Sequence, residues 1–169
     1  MLSYTRLKII KHFKPKKFNE HGENMHRFKD SVFADIIYQL TKNRSKEKLV
    51  KWSFSCATHV AQAFPDFDFK NSYYLITKEA VEKWEENKLT LLKARQMIRS
   101  LRSLKRESKD KASKELIKAF EQVLLTTLAV RHAYLTSLHA VKSVYYRNID
   151  KDYIFEIEKE RVWQLQVIE

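Results

Sequence analysis

The chain of 169 residues contains one glycine, Gly22, two prolines, Pro15 and Pro65, and one cysteine, Cys56. Turn-rich β proteins need residues that tolerate positive φ. So little glycine excludes most all-β architectures and predicts a helical chain. A single cysteine permits no internal disulfide and suits a reducing, cytoplasmic setting. No run of 18 or more apolar residues is present, which argues against a membrane-spanning helix. The opening MLSYTRLKIIKHFKPKKF has neither an unbroken apolar stretch nor a small-residue cleavage site, so it does not read as a secretory signal. Glycine-rich phosphate loops, His-Glu-x-x-His, Gly-x-Ser-x-Gly and Cys-x-x-Cys are missing. So are the repeated Glu-x-x-His pairs of di-iron bundles. The expectation is therefore a non-enzymatic protein without a cofactor or metal.

What is present fits one folded domain. Apolar residues make up 44% and charged residues 32%, enough to bury a core at this length without disulfide staples. The net charge is +12 and unevenly placed. Residues 1–17 carry six Lys/Arg and no acid, and residues 93–118 carry ten Lys/Arg against Glu107, Asp110 and Glu115. Such patches attract acidic proteins, nucleic acid or anionic lipid, or are simply solvated faces. Residues 1–30 read as a basic arm and linker, with Leu2, Leu7, Ile9, Ile10 and Phe13 interleaved among cations. Residues 1–18 could thus touch a membrane surface peripherally.

Residues 31–169 read as a single-domain all-α bundle of six or seven helices. Asp30 or Ser31 caps the first, SVFADIIYQLTKN. The second runs from near Ser45 to Phe64, where Pro65 stops it. After the loop PDFDFKN, a third covers Ser72 to Asn87, and Thr90 caps a fourth from Leu91 to about Glu107. Ala112 to Arg147 lacks glycine and proline and is long for one helix. A break is expected near Tyr134–Ser137, with Thr136 or Ser137 as N-cap. A last helix starts near Asp152.

Three groups of residues merit chemical scrutiny. On a helix, Cys56 and His59 are neighbours on the face of Trp52 and Val60. A zinc site needs more ligands, for which His132 and His139 are the candidates. A nucleophilic thiol needs a hydrogen-bonded imidazole, an orienting group and an oxyanion donor. Burial in the core is the simpler reading of the pair. Arg95, Arg99, Arg102 and Arg106 keep a 4-3-4 spacing and so form a ladder on one helix face. That ladder either docks an anionic partner or pairs with Glu79, Glu82, Glu85 and Glu86 of the preceding helix. Tyr134, Tyr145, Tyr146 and Tyr153 either stack on bases or, more simply, line a core edge.

Several pieces in order carry a family resemblance: KWSFSCATHVAQAF with Trp52, Cys56, Ala57, His59 and Phe64, then Ala80, Trp84, Thr90, Ala94 and Arg95. SLHAVKSVYYR follows with His139, Ala140 and Tyr145, and ERVWQLQ closes the series with Glu160, Arg161, Trp163 and Gln164. Over about residues 51–166, with residues 1–44 outside, the chain resembles the five-like immunity domain of bacterial polymorphic-toxin systems. The resemblance implies an all-α domain that neutralises a toxin, and it defines no catalytic residues. The conserved-looking pieces Trp52, Cys56, His59, Trp84, His139, Tyr145 and Trp163 are expected to be mainly structural. Partner binding is assigned to Arg95, Arg99, Arg102, Arg106, Phe67 and Phe69. A basic inhibitor suits an acidic toxin surface. The alternative is a nucleic-acid-binding protein that uses the arginine face and the N-terminal arm.

Overall fold

The computed structural model describes residues 28–169. The expectations for the basic arm and its membrane contact concern residues outside this range. Seven helices and no strand occur among the described residues. They are α1 (Phe33–Lys42), α2 (Lys46–Gln62), α3 (Ser72–Glu85), α4 (Leu91–Glu107), α5 (Lys111–Leu128), α6 (His132–Arg147) and α7 (Tyr153–Ile168). The all-α bundle is as the composition implied. No described helix is long and apolar enough to cross a membrane.

Local chemistry sets most helix starts. Ser45, Thr90, Asp110 and Asp152 each accept a hydrogen bond from the backbone N–H three residues on. Each thereby satisfies one of the donors that a helix N-terminus leaves free. At the end of α3 the chain needs a left-handed residue, and Asn87 supplies it at φ 56°. Asparagine is the usual substitute for glycine there, in keeping with a chain that has almost none. Two expectations fail. Asp30 caps nothing: its carboxylate pairs with Arg161, while Ser31 Oγ accepts from the Phe33 N–H. The break between α5 and α6 falls at Ala129–Arg131 rather than at Tyr134–Ser137. Ala129 turns to extended backbone after α5. Thr136 and Ser137 sit fully buried inside α6, where the Thr136 hydroxyl bonds the His132 carbonyl one turn back.

Helix α5 is the hub and packs on α2, α3, α4 and α6. Its Leu116, Ala119, Phe120 and Val123 meet Val50, Ala57, Val60 and Ala61 of α2 and Ala140 and Val144 of α6. Leu124 faces Ala94, Met97, Ile98 and Leu101 of α4. Helix α7 lies against α6, α2 and α1 and is held by polar contacts as much as by apolar ones. Arg161 is fully buried. Its Nε donates to Asp30 Oδ1 at 2.9 Å, its Nη2 to Asp30 Oδ2, and its Nη1 to Ser137 Oγ at 2.6 Å and Gln164 Oε1 at 2.9 Å.

Removing one partner of a buried ion pair leaves the other charge unsolvated, at a cost of about 3–5 kcal/mol. Asp30→Ala should lower stability by about that amount in chemical denaturation. Adding Arg161→Met should recover much of the loss, because an apolar side chain of similar reach tolerates the site. Equal stability of Asp30→Ala and wild type would contradict this role.

Candidate functional site

The outer face of α4 is strongly cationic, with six Lys/Arg against Glu107 in the helix. Ala94, Met97, Ile98 and Leu101 turn inward, and the 4-3-4 spacing then sends Arg95, Arg99, Arg102 and Arg106 outward, all four exposed. The acids of α3 do not neutralise them. Glu79 pairs with Lys83 and Lys93, Glu82 with Lys78, Glu85 with Lys51 and Glu86 with Lys88. Those carboxylates serve lysines within reach on their own helix, α2 or the near edge of α4, and the arginine face points elsewhere. Only Arg102 is tied down. Its Nε donates to Glu121 of α5 at 2.7 Å, beside Lys105 Nζ at 3.2 Å on the other carboxylate oxygen. Among the described residues Arg95, Arg99 and Arg106 take part in no ion pair. Two leucines, Leu91 (53% exposed) and Leu92 (67%), stand at the N-terminal end of the same helix. The face therefore combines apolar tip and cationic ladder.

The loop after α2 was the other expected contact. Phe67 is half-buried against the core and meets Phe69 and Tyr74 edge-on, whereas Phe69 is exposed. A cavity of about 490 Å³ joins Phe64, Pro65 and Asp66 to Asp110–Ser113 and Arg147. It places this loop beside the α4–α5 turn, at the end of the bundle where Arg106 lies.

The cysteine and histidines are separated into independent contacts. Cys56 is fully buried. Burial, with Glu160 nearby, pushes its thiol well above the usual range, the opposite of what a nucleophile needs. His59 pairs through Nδ1 with Glu160 at 2.9 Å and stacks on Trp163 at 3.7 Å. His132 meets Gln122 at 2.8 Å, and His139 meets Glu115 at 2.6 Å. Each histidine thus has its own partner on a different helix, and the four candidate ligands do not converge. No group of three or more potential ligands forms among the described residues.

The tyrosines pack. Tyr145 is buried against Phe28, Tyr146 and Tyr153, and Tyr134 is half-buried and meets exposed Tyr38 edge-on.

The first and last pieces of the resemblance, on α2 and α7, meet in one seam, whereas Ala80 and Ala94 pack together between α3 and α4 and Tyr145 lies in a separate cluster. Trp52 Nε1 donates to the Gln164 carbonyl at 3.0 Å, and Gln164 Nε2 donates to Glu160 at 2.9 Å. Glu160 in turn pairs with His59. Thus Trp52, Cys56 and His59 of α2 and Glu160, Arg161, Trp163 and Gln164 of α7 form a single joint between distant segments. A family model described as Imm-5 like putative immunity protein matches residues 39–169. The chain belongs to this immunity-protein family. The match begins inside α1, earlier than the ordered pieces indicated. The end of α1 and the turn after it belong with α7, since Arg44 Nε donates to the Ile168 carbonyl at 3.2 Å. No curated protein and no solved structure matches the chain.

Two outcomes follow for this immunity-family protein. Cys56 should react with a thiol reagent only on the timescale of unfolding, and fast labelling of the native protein would contradict the seam. Burial raises the Glu121 carboxyl, but its bonds to Arg102 and Lys105 outweigh that and leave it below its ordinary value of 4.5. An unfolded chain then binds the proton first as pH falls. The contribution is present above pH 4.5 and is lost as pH drops through the folded value. Glu121→Gln should therefore flatten the acid limb of a stability–pH curve. An unchanged limb would remove Glu121 from it.

Proposed function

We propose that the protein neutralises a toxin by binding it, without catalysis, through the outward face of α4. The observation that supports this is the row Arg95, Arg99 and Arg106, exposed and without an ion pair among the described residues, next to exposed Leu91 and Leu92. Arginine forms planar, two-pronged bonds to carboxylates. Leucines at the edge of such a face supply the apolar contact that charge alone lacks. The complementary surface is one rich in Asp and Glu. Phe69, at the Arg106 end, would widen the contact. Family membership supports the toxin as the class of partner. Nucleic acid is the competing anion for the same face.

The decisive experiment co-expresses the protein with the toxin gene adjoining its own. Wild type should restore growth, and Arg95→Glu with Arg99→Glu should abolish protection. Toxin affinity should fall at least about tenfold, or ~1.4 kcal/mol, while the melting temperature does not fall, because both side chains are exposed. Full protection by the double variant would sink the α4 assignment. Tight binding of a labelled DNA or RNA duplex, steeply weakened by salt and lost in the same variant, would move the reading to nucleic acid.

A further inference from the structure

The face formed by α1 and α7 bears apolar side chains that are exposed among the described residues: Val32 (78% exposed) and Ile36 from the α1 side, Phe155 (60%) and Val162 from α7. Single exposed apolar residues are ordinary, but these four stand on or beside two helices that pack against each other. Ser31 Oγ donates to Glu158, Asp30 pairs with Arg161, and Arg44 donates to the Ile168 carbonyl. Later residues of α1 thus meet later residues of α7, so the two helices run parallel, with Ile36 about level with Val162. Leu40 and Leu165 are partly buried against the core cluster that holds Ile37 of α1 and Ile168 of α7. Val32 and Ile36, four apart, flank the side of α1 toward α7. Phe155 and Val162, seven apart, flank the side of α7 toward α1.

We infer that this face docks a second copy of the chain, face to face across a two-fold axis. Charge selects the face. A chain of net charge +12 repels its own copies, and α4 carries six Lys/Arg against Glu107 alone. With the buried Glu160 and Arg161 set aside, helices α1 and α7 carry three acids, Asp35, Glu156 and Glu158, against two bases, Lys42 and Lys159. An axis parallel to the helices lays α1 of one copy over α7 of the other. Ile36 then meets Val162 of the second copy, and Asp35 comes beside Lys159 of the second copy. Asp35 makes no ion pair among the described residues, and Lys159 reaches only Glu156 at 3.9 Å. Helix α4 packs on α3 and α5, while α1 packs on α6 and α7. Self-docking therefore leaves the arginine face open on both copies.

The size of the face sets the strength. A 16-residue α7 is about 24 Å long and two helices are about 20 Å wide. The footprint is roughly 500 Å² per copy, below the ~800 Å² of a standard stable interface. The dimer is thus weak and concentration-dependent.

Sedimentation velocity of the full purified chain from about 1 to 200 µM, the range a small interface implies, tests this. The weight-average coefficient should climb from monomer toward dimer. Val162→Asp and Phe155→Ser should each raise the midpoint concentration at least about tenfold. Asp35→Lys should weaken the dimer, and combining it with Lys159→Asp should restore it. Circular dichroism checks that each variant folds, and Phe155→Ser, at a largely exposed position, keeps the test valid if Val162→Asp does not. A chain monomeric throughout, as expected if another protein covers this face, would overturn the inference. So would a dimer unmoved by these substitutions.

Discussion

The fold hinges on one guanidinium. Arg161 is the largest fully buried side chain in the described structure, and an isolated charge there would be prohibitively unfavourable. It is tolerated because partners from three segments converge on it: Asp30 ahead of α1, Ser137 inside α6 and Gln164 on α7. Arginine has five N–H donors in a fixed fork. A fork so satisfied admits one arrangement of those segments. Apolar packing alone, which accepts many arrangements of similar volume, would leave α1 and α7 less uniquely placed. Burial supplies the bulk of the stability, chiefly around α5, and Arg161 ties the segment ahead of α1 to α6 and α7.

This division accounts for what local sequence revealed and what it concealed. Ser45, Thr90 and Asp152 mark helix starts from their own neighbourhood, because a cap bonds an N–H three residues away. The inward faces of α2 and α4 are legible from 3.6-residue periodicity for the same reason. Thr136 and Ser137 misled, since two small hydroxyl residues in a long helical stretch read locally as a cap. Ser137 is in fact a partner for a residue 24 positions on. The true break at Ala129–Arg131 has no glycine, proline or capping side chain to announce it. Asp30 likewise reads as a cap until a charge 131 residues away claims it.

The resemblance pieces show how long-range chemistry leaves a trace in sequence without explaining itself. Trp52, Cys56 and His59 have the spacing of one helix face, and Glu160, Arg161 and Gln164 have that of another. Nothing in either segment says that the two faces touch. The contact turns a suspected thiol–imidazole pair into a cramped joint. There, Cys56 has room because it is small, Trp52 bonds a backbone carbonyl, and His59 is clamped between a carboxylate and a stacked indole. The buried thiol and the His59–Glu160 pair are consequences of seating α7 on α2.

Helix α4 poses the opposite problem, since its arginines contribute little to the fold. Lys105 and Arg106 stand in the last turn, where a cation suits the helix dipole. The first turn of α4 holds Lys93, which pairs with Glu79 of α3, and no acid of its own; Arg95 is one residue beyond that turn, where the dipole disfavours positive charge. Neighbouring cations on one helix face also repel one another. Glu121 relieves Arg102 and Lys105 only. Dipole and ion pairing thus account for the C-terminal half of the ladder and leave Arg95 and Arg99 without an internal rationale. Under the proposed function their stabilisation comes from the carboxylates of a bound partner. Stability and binding then make opposite demands on the same helix: replacing Arg95 with a neutral helix former would favour the isolated bundle and weaken the complex.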